Sequence, residues 1–301
     1  IDLAVRMNTL APLAMMHLSR EWRATAHVHV STAYVIAHHP TGHRSPERLD
    51  TSPRGLDPDD IIKTVVEFGR SNRKRKSNDQ LLERIAINAM GSFPNTYTLT
   101  KHMAEMKIVE LNKELGLPLT VVRPSIIGAS LREPTPGWID TLSAAAAVFT
   151  AGGLGMLRIL PGNPQGIGDI VPVDMVVNLM LLRMADLLKY RHQHNISAAV
   201  VPSTSSPPPP PPPPPLVFAH SATSTMNPVK WRTCETIGET FYFDNSLHQA
   251  GPVIGYDMIN NPHRFNVEWW LRFTLPLYLY RTAAETVESA HHMAEAAKLG
   301  K

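Results

Sequence analysis

The chain has 301 residues, which is enough for one large domain or two ordinary ones. About 43% of the residues are hydrophobic and 18% are charged, so the composition indicates a folded core and excludes a largely disordered chain. The net charge of +3 is small for this length and implies no polyanionic partner. The single cysteine, Cys234, excludes an intrachain disulfide and fits a reducing compartment.

The chain begins within an amphipathic helix, without an initiator methionine, and this helix is predicted to end near Trp22. Val28 and Val30 then alternate with other residues, which predicts a buried strand that runs into the hydroxyl-bearing Ser31 and Thr32. Residues 38–60 are rich in His, Pro, Gly, Asp and Arg and are predicted to form a long surface insertion.

Three helices are predicted next. The first begins near DPDDII (57–62), where acidic residues occupy the first turn, and the second spans QLLERIAINAM (80–90). The third carries YTLTKHMAE (97–105), runs to about Leu115 and stops at Gly116. A β-branched strand at 119–122 follows. This order of helix, turn and buried strand is typical of a parallel α/β sheet.

The second half of the chain adds a strand and a helix within residues 168–188, with Asp174 as the predicted helix cap, and a further strand at 217–223. A buried helix and loop are expected at 141–160, and a buried or else interfacial helix at 269–280. The proline-rich insertion at 202–215 ends in nine consecutive prolines, which must adopt polyproline II. It is either a surface insertion or, at 207–215, a docking segment for a proline-recognising domain.

The chemistry is concentrated in one predicted helix, where Tyr97 and Lys101 are four residues apart and therefore project from the same face. A free phenol has a pKa near ~10 and is therefore a poor acid at neutral pH. A nearby ammonium favours the phenolate and so lowers the pKa of the phenol towards neutral pH. Ser31 and Thr32 follow a predicted parallel strand, and ligands of open α/β sheets bind at that carboxyl edge. A solvated helix face remains the plain alternative.

These motifs, in their order along the chain, resemble the extended short-chain dehydrogenases/reductases, and within them the fatty acyl-CoA reductases. The resemblance is carried by HVSTAYV (29–35), YTLTKHMAE, LPLTVVRPSIIGAS (117–130), GDIVPVDMVVN (168–178) and SATSTMNPVKW (221–231). It implies a Rossmann-like parallel sheet, followed by a C-terminal helical segment. We therefore predict a reductase domain at 1–245, with the insertion at 202–215, and a helical segment at 246–301.

The resemblance also implies roles for individual residues. Tyr97 would protonate the substrate oxygen, Lys101 would support Tyr97 and bind the cofactor ribose, and Thr32 would orient the carbonyl, with Ser31 as the second choice. The segment that would lie along the nicotinamide consists of Pro124, Ser125 and Ile126. Asn8 matches the helix asparagine that supports the lysine, although Ala11 and Pro12 replace the Gly-Thr usual there.

The implied reaction is NADPH-dependent reduction of a long-chain fatty acyl-CoA to fatty aldehyde or alcohol. The Gly-rich turn that holds the pyrophosphate in such enzymes does not occur before Thr32, so the fold is expected to be incomplete, lacking its N-terminal strands and Gly-rich loop. Two alternatives stay open: a catalytically dead reductase fragment that acts as an interaction protein, and a sugar-nucleotide or sterol dehydrogenase of the same fold.

The expected setting is intracellular, either cytoplasmic or on the face of an endoplasmic reticulum or peroxisome membrane, with possible peripheral membrane contact through the C-terminal segment. No nucleic-acid partner is expected. Five histidines (His27, His29, His38, His39, His43) raise the question of a metal site, but alternating strand positions and a loop, with no acidic partner placed, predict none.

Overall fold

The computed structural model describes residues 1–40, 42–51, 55–71, 79–193, 215–245 and 255–281. Their contacts divide the chain into two compact units, the first formed by Ile1–Trp138 with Ile170–Thr223 and the second by Ile139–Asp169 with Ser224–Lys301. The predicted proline-rich insertion lies outside the described residues except for Pro215. The predicted domain boundary at residue 246 also falls outside them.

The first unit is built on a three-stranded parallel sheet of β1 (His27–Val30), β2 (Leu119–Pro124) and β6 (Leu216–Ser221), in the order β1-β2-β6. The register pairs Val30 with Val122 and Pro124 with Ser221, so the three carboxyl ends lie at one edge. A short parallel pair, β3 (Ile126–Gly128) with β5 (Ile170–Pro172), continues from β2. The predicted parallel α/β fold is therefore confirmed.

Helices surround this sheet. The opening helix comprises α1 (Asp2–Val5), a π-helical turn at Arg6–Leu10, and α2 (Ala11–Glu21). It is followed by a 3-10 turn (Ala33–Ile36), α3 (Pro58–Ser71), α4 (Asp79–Met90), α5 (Thr96–Leu115) and α7 (Val173–Gln193). These bounds confirm the helices predicted from the apolar periodicity.

Helix α5 is fixed at both ends and along one side. The Asn95 side chain accepts a hydrogen bond from the Thr98 N–H at 2.9 Å, and Gly116 ends the helix with φ of +61°, a left-handed conformation that favours glycine. Leu99 and Met103 are fully buried and pack with Phe93. Further along, Ala104 and Ile108 pack with Met16 of α2.

Asp174 does not cap its own helix. Its carboxylate instead accepts hydrogen bonds from the backbone N–H groups of Leu131, Arg132 and Glu133, at 2.9, 2.9 and 3.3 Å. These hydrogen bonds, that of Leu131 first, lower the pKa of the Asp174 carboxyl. Asp174 thus fixes the loop that follows β3. The predicted cap was wrong because the sequence could not show which loop would approach this side chain.

The second unit contains α6 (Ala144–Gly153), the parallel strands β4 (Ile159–Pro161) and β7 (Asp257–Ile259), α8 (Trp231–Asp244) and α9 (Pro262–Trp269). A π-helical turn at Trp270–Thr274 continues α9, and residues 275–281 are helical. Trp269 and Trp270 are 43% and 51% exposed, and Tyr280 is 76% exposed. A buried helix at 269–280 was therefore the wrong alternative for these residues.

Among the described residues, no helix combines the length and the apolarity needed to cross a membrane.

Candidate active site

The carboxyl ends of the parallel strands bring the predicted hydroxyl residues together. The Ser31 N–H donates to the Val122 carbonyl at 2.8 Å, and the Ser125 N–H donates to the Ser221 carbonyl at 2.9 Å. Ser31 and Ser125 therefore extend the hydrogen-bonding pattern of the sheet just beyond β1 and β2. Two segments that are 94 positions apart in the sequence meet at this edge because the strands run parallel and in register.

The hydroxyls at this edge are buried but incompletely bonded. Ser31 and Ser125 are 3% and 6% exposed, and within the described residues neither hydroxyl has a hydrogen-bond partner. Thr32, also 3% exposed, accepts a bond from the Tyr34 N–H at 3.3 Å and lies 3.5 Å from the Pro124 carbonyl oxygen. Because buried polar groups are nearly always hydrogen-bonded, two open hydroxyls fit a site that receives a polar ligand.

Lys101 connects the α5 helix to the same edge. Its Nζ donates to the Val30 carbonyl oxygen at 3.1 Å, one residue before Ser31. Burial lowers the pKa of the Lys101 ammonium, and the Glu105 carboxylate partly opposes this shift. Tyr97 precedes Lys101 by one turn and is 45% exposed, so its ring is accessible to a substrate.

The Asn8 side chain contacts α5 at Thr100, the residue that precedes Lys101. Its Nδ2 donates to the Thr100 Oγ1 at 3.0 Å, and the neighbouring Thr9 hydroxyl donates to the Thr100 carbonyl at 2.8 Å. These two bonds hold the opening helix against the residue that precedes Lys101. The role predicted for Asn8, support of the lysine through water, stays a prediction.

A buried ion pair, which the sequence analysis above does not predict, joins α5 to β2 next to the site. The Arg123 Nε and Nη2 donate to the two carboxylate oxygens of Glu105 at 2.8 and 2.6 Å, and both side chains are at most 1% exposed. Arg123 also donates to the carbonyls of Pro46 and Arg48, at 2.9 and 3.0 Å. A Glu four residues after Lys101 suggests an exposed pair along the helix, but Glu105 turns inward to β2.

This arrangement also revises the prediction for residues 38–60. They do not form a simple surface insertion, since two of their carbonyls are bound by a buried guanidinium of the sheet. The Arg123 guanidinium carbon lies 4.7 Å from the centre of the Phe218 ring, in position for a cation–π contact. Arg123 therefore joins this segment, α5 and β6 directly before the predicted cofactor segment that begins at Pro124.

His29 is a buried titratable group of β1 and lies near enough to the Lys101 ammonium to be affected by its charge. It is 5% exposed, and within the described residues its Nε2 has no hydrogen-bond partner. Burial, together with repulsion from the Lys101 ammonium and from His27, lowers the pKa of His29 to about 3. The imidazole is therefore neutral at physiological pH and adds no second positive charge beside Lys101.

This burial makes a prediction about pH dependence. Since the folded pKa of about 3 lies below the ordinary value of 6.5, acid protonates His29 in the unfolded chain first. The contribution of His29 to stability is complete above pH ~6.5 and is lost as the pH falls towards about 3. We expect the wild type to lose about 2 kcal/mol more than His29→Gln in the free energy of unfolding between pH ~7 and pH ~5.

Urea denaturation at the two pH values measures this difference. His17→Gln, at an exposed histidine of the same unit, is the control and should follow the wild type. Equal pH dependence in wild type and His29→Gln would contradict the assignment.

A separate cleft of about 510 Å³ lies between α3 and α4 and is lined by Ile61, Thr64, Ile85, Met90 and Phe93, among others. None of the predicted catalytic or cofactor-binding residues lines it. We place the candidate site at the sheet edge because the unpaired hydroxyls of Ser31 and Ser125 and the contact of Lys101 lie there. The cleft has the volume for a ligand but contains none of these groups.

Ligands of open α/β sheets bind at the carboxyl edge of the strands, and this sheet carries serine and threonine hydroxyls there, joined by the helix of Tyr97 and Lys101. The family model described as male sterility protein, an NAD-binding domain, matches residues 1–180. The chain therefore belongs to the male sterility protein family.

Curated relatives agree with this assignment. The chain is 32% identical over 179 residues to fatty acyl-CoA reductase 1 of Xenopus laevis, a match that covers 59% of this chain and 32% of the relative. It is 30% identical over 181 residues to fatty acyl-CoA reductase 2 of Homo sapiens, with the same coverage. The chain thus spans about a third of the length of these relatives. The predicted resemblance to fatty acyl-CoA reductases is confirmed.

Solved structures show weaker similarity. The terminal R domain of the myxalamid PKS-NRPS pathway is 18% identical, covers 77% of this chain and 38% of its own, and has a TM-score of 0.38. A Thermus thermophilus UDP-glucose 4-epimerase in complex with NAD is 12% identical, covers 87% and 64%, and has a TM-score of 0.41.

Proposed function

We propose that this chain carries the proton-donating and carbonyl-orienting residues of an NADPH-dependent reductase that acts on long-chain fatty acyl-CoA. The observation that carries the proposal is the 3.1 Å bond from Lys101 to the Val30 carbonyl. This bond supports the predicted grouping of the tyrosine–lysine helix with Ser31 and Thr32. Similarity to proteins named fatty acyl-CoA reductase supports the substrate class.

The residues at this sheet edge fit the nicotinamide and ribose end of the cofactor, whereas the Gly-rich turn that would hold its pyrophosphate does not occur before Thr32. The Ser125 hydroxyl is buried and open, in the segment predicted to lie along the nicotinamide with Pro124 and Ile126. Lys101 is proposed to bind the ribose hydroxyls, since its ammonium has three donors and only one is used in the bond to Val30. When bound, the cofactor supplies the hydride that reduces the carbonyl carbon. The choice of NADPH over NADH rests on the family resemblance.

The chain's own residues handle the oxygen and its proton. Thr32, with Ser31 as second choice, would donate a hydrogen bond to the carbonyl oxygen and orient it. Tyr97 would give its proton to the oxygen as negative charge develops there, and the nearby Lys101 ammonium stabilises the phenolate that remains. For a thioester substrate, a C–H bond forms at the carbonyl carbon while the oxygen takes the Tyr97 proton. When the C–S bond then breaks, the C=O bond re-forms and the proton on the oxygen is passed to the departing sulfur, so that CoA leaves as a thiol and the aldehyde remains.

Setting and partners remain proposals as well. The exposed Trp269 and Trp270 in the second unit support peripheral contact with a membrane interface, where tryptophan is enriched. This would agree with an intracellular location in the cytoplasm or on the face of a lipid-metabolising organelle. The proline-recognising partner at 207–215 stays a prediction, since these residues lie outside the described ranges except for Pro215.

The experiment is an assay of the purified chain with hexadecanoyl-CoA and NADPH, with UDP-glucose and a sterol as alternative substrates. We expect NADPH oxidation that depends on the acyl-CoA and matches the release of free CoA thiol. The absence of NADPH binding by this chain would favour the interaction-protein alternative. Turnover with the sugar nucleotide or sterol alone would overturn the proposed substrate class.

A further inference from the structure

Two adjacent histidines and an aspartate converge at the start and end of a segment in the first unit. The Nε2 atoms of His38 and His39 lie 3.3 and 2.8 Å from the same oxygen, Oδ2 of Asp50. One ligand-type atom from each of the three residues lies within 4.8 Å of the others. Local sequence does not reveal this cluster, because Asp50 is eleven positions from His39 and only the fold brings the two side chains together.

The cluster is largely shielded from solvent, since the side chains of His38, His39 and Asp50 are 4%, 22% and 11% exposed. The ring of His38 packs against Phe93, with ring centres 4.6 Å apart, and edge-on against His102 at 5.3 Å. The ring of His39 stacks on that of His43 at 4.0 Å. These aromatic contacts restrict how the two imidazoles can turn.

The donor set selects the kind of ion. Two imidazole nitrogens and one carboxylate oxygen suit zinc and similar transition metals, whereas calcium and magnesium prefer oxygen ligands throughout. Metal–ligand bonds of about 2.0–2.1 Å place the corners of a tetrahedron ~3.3 Å apart. The His38–Asp50 distance of 3.3 Å equals this spacing and the His39–Asp50 distance of 2.8 Å is slightly shorter.

We propose that His38, His39 and Asp50 form a binding site for one zinc-like divalent ion, with water as the fourth ligand. The His39 Nε2 would exchange its hydrogen bond to Asp50 for a bond to the ion, releasing its proton, and the His38 Nε2, 3.3 Å from the same Asp50 oxygen, would bind the ion beside it. The ion would join the two ends of a segment whose intervening carbonyls, at Pro46 and Arg48, bind Arg123. The role is structural and does not depend on the proposed reductase activity.

The test is titration of the chelator-treated, purified full chain with Zn²⁺ alone, followed by calorimetry and thermal unfolding. We expect one equivalent to bind, with proton release that changes the measured heat between buffers, and an unfolding temperature that rises with Zn²⁺. Asp50→Asn and His39→Gln should each weaken binding by about 100-fold or more, since loss even of groups behind the ligands weakens metal affinity 10- to 100-fold.

His17→Gln is the matched control, because it removes an exposed histidine outside the cluster and should leave binding unchanged. Co²⁺ provides a check that does not depend on stability, since a four-coordinate site gives intense visible absorption that the Asp50→Asn protein should lack. Zn²⁺ binding that is equally tight in the wild type and in both cluster variants would overturn the proposal. So would the absence of saturable binding to a folded wild-type chain.

Discussion

Tyr97→Phe should slow acyl-CoA-dependent NADPH oxidation by about 100- to 10,000-fold while leaving NADPH affinity nearly unchanged. The range is that of a positioned proton donor, and the substitution removes only the hydroxyl that would protonate the developing oxyanion. The measurement is kcat from NADPH absorbance, together with the Kd for NADPH from fluorescence quenching. A loss confined to kcat is the expected signature, because the proton is needed only in the reaction step.

Lys107, on the same helix, is the control for Lys101. Lys101 is half-buried and donates to the Val30 carbonyl, whereas Lys107, nearly two turns further along, pairs with the exposed carboxylates of Asp59 and Glu110. Lys101→Met should weaken NADPH binding and lower kcat together, because it is proposed to serve both the ribose and the phenolate. Lys107→Met should change neither. Unchanged turnover in Tyr97→Phe, or equal effects of the two lysine variants, would refute the assigned roles.

Glu105→Gln should lower the free energy of unfolding by about 3–5 kcal/mol. The substitution is nearly isosteric, but it leaves the Arg123 guanidinium, 0% exposed, without its counter-charge in the interior. The two hydrogen bonds that Arg123 donates to the carbonyls of Pro46 and Arg48 remain, but neutral carbonyls cannot balance the charge of the guanidinium. The measurement is denaturant unfolding followed by circular dichroism. Glu110→Gln, on the same helix at a side chain that is 61% exposed and paired with Lys107, is the control and should change stability by under about 1 kcal/mol.

Arg123→Met tests the same pair from the other side, and Glu105→Leu with Arg123→Met removes both charges at once. We expect the double variant to be more stable than the sum of the single effects predicts, because neither charge is then left buried alone. Additive losses would mean that the two side chains do not depend on each other. The pair would then be no more than a consequence of packing.

Local pattern predicted much of the fold. The segment YTLTKHMAE marked α5, Gly116 its end, and Val28 with Val30 the strand before the hydroxyls, because periodicity and conformational preference act over a few residues. The apolar composition of 269–280 was less informative. Burial is set by what packs against a helix, and Trp269 and Trp270 remain exposed in the second unit.

The sequence by itself determined the parallel α/β order, the helix carrying Tyr97 and Lys101, and the family of the chain, since these follow from short motifs and from the order of the motifs along the chain. Only the tertiary structure decided the partners of Asp174, Glu105 and Asp50. Each is a carboxylate whose partners come from segments between eleven and 43 positions away. These contacts form because the sheet and its loops bring a carboxylate next to a distant backbone or charged group. The residues that neighbour each carboxylate in the sequence do not specify this proximity.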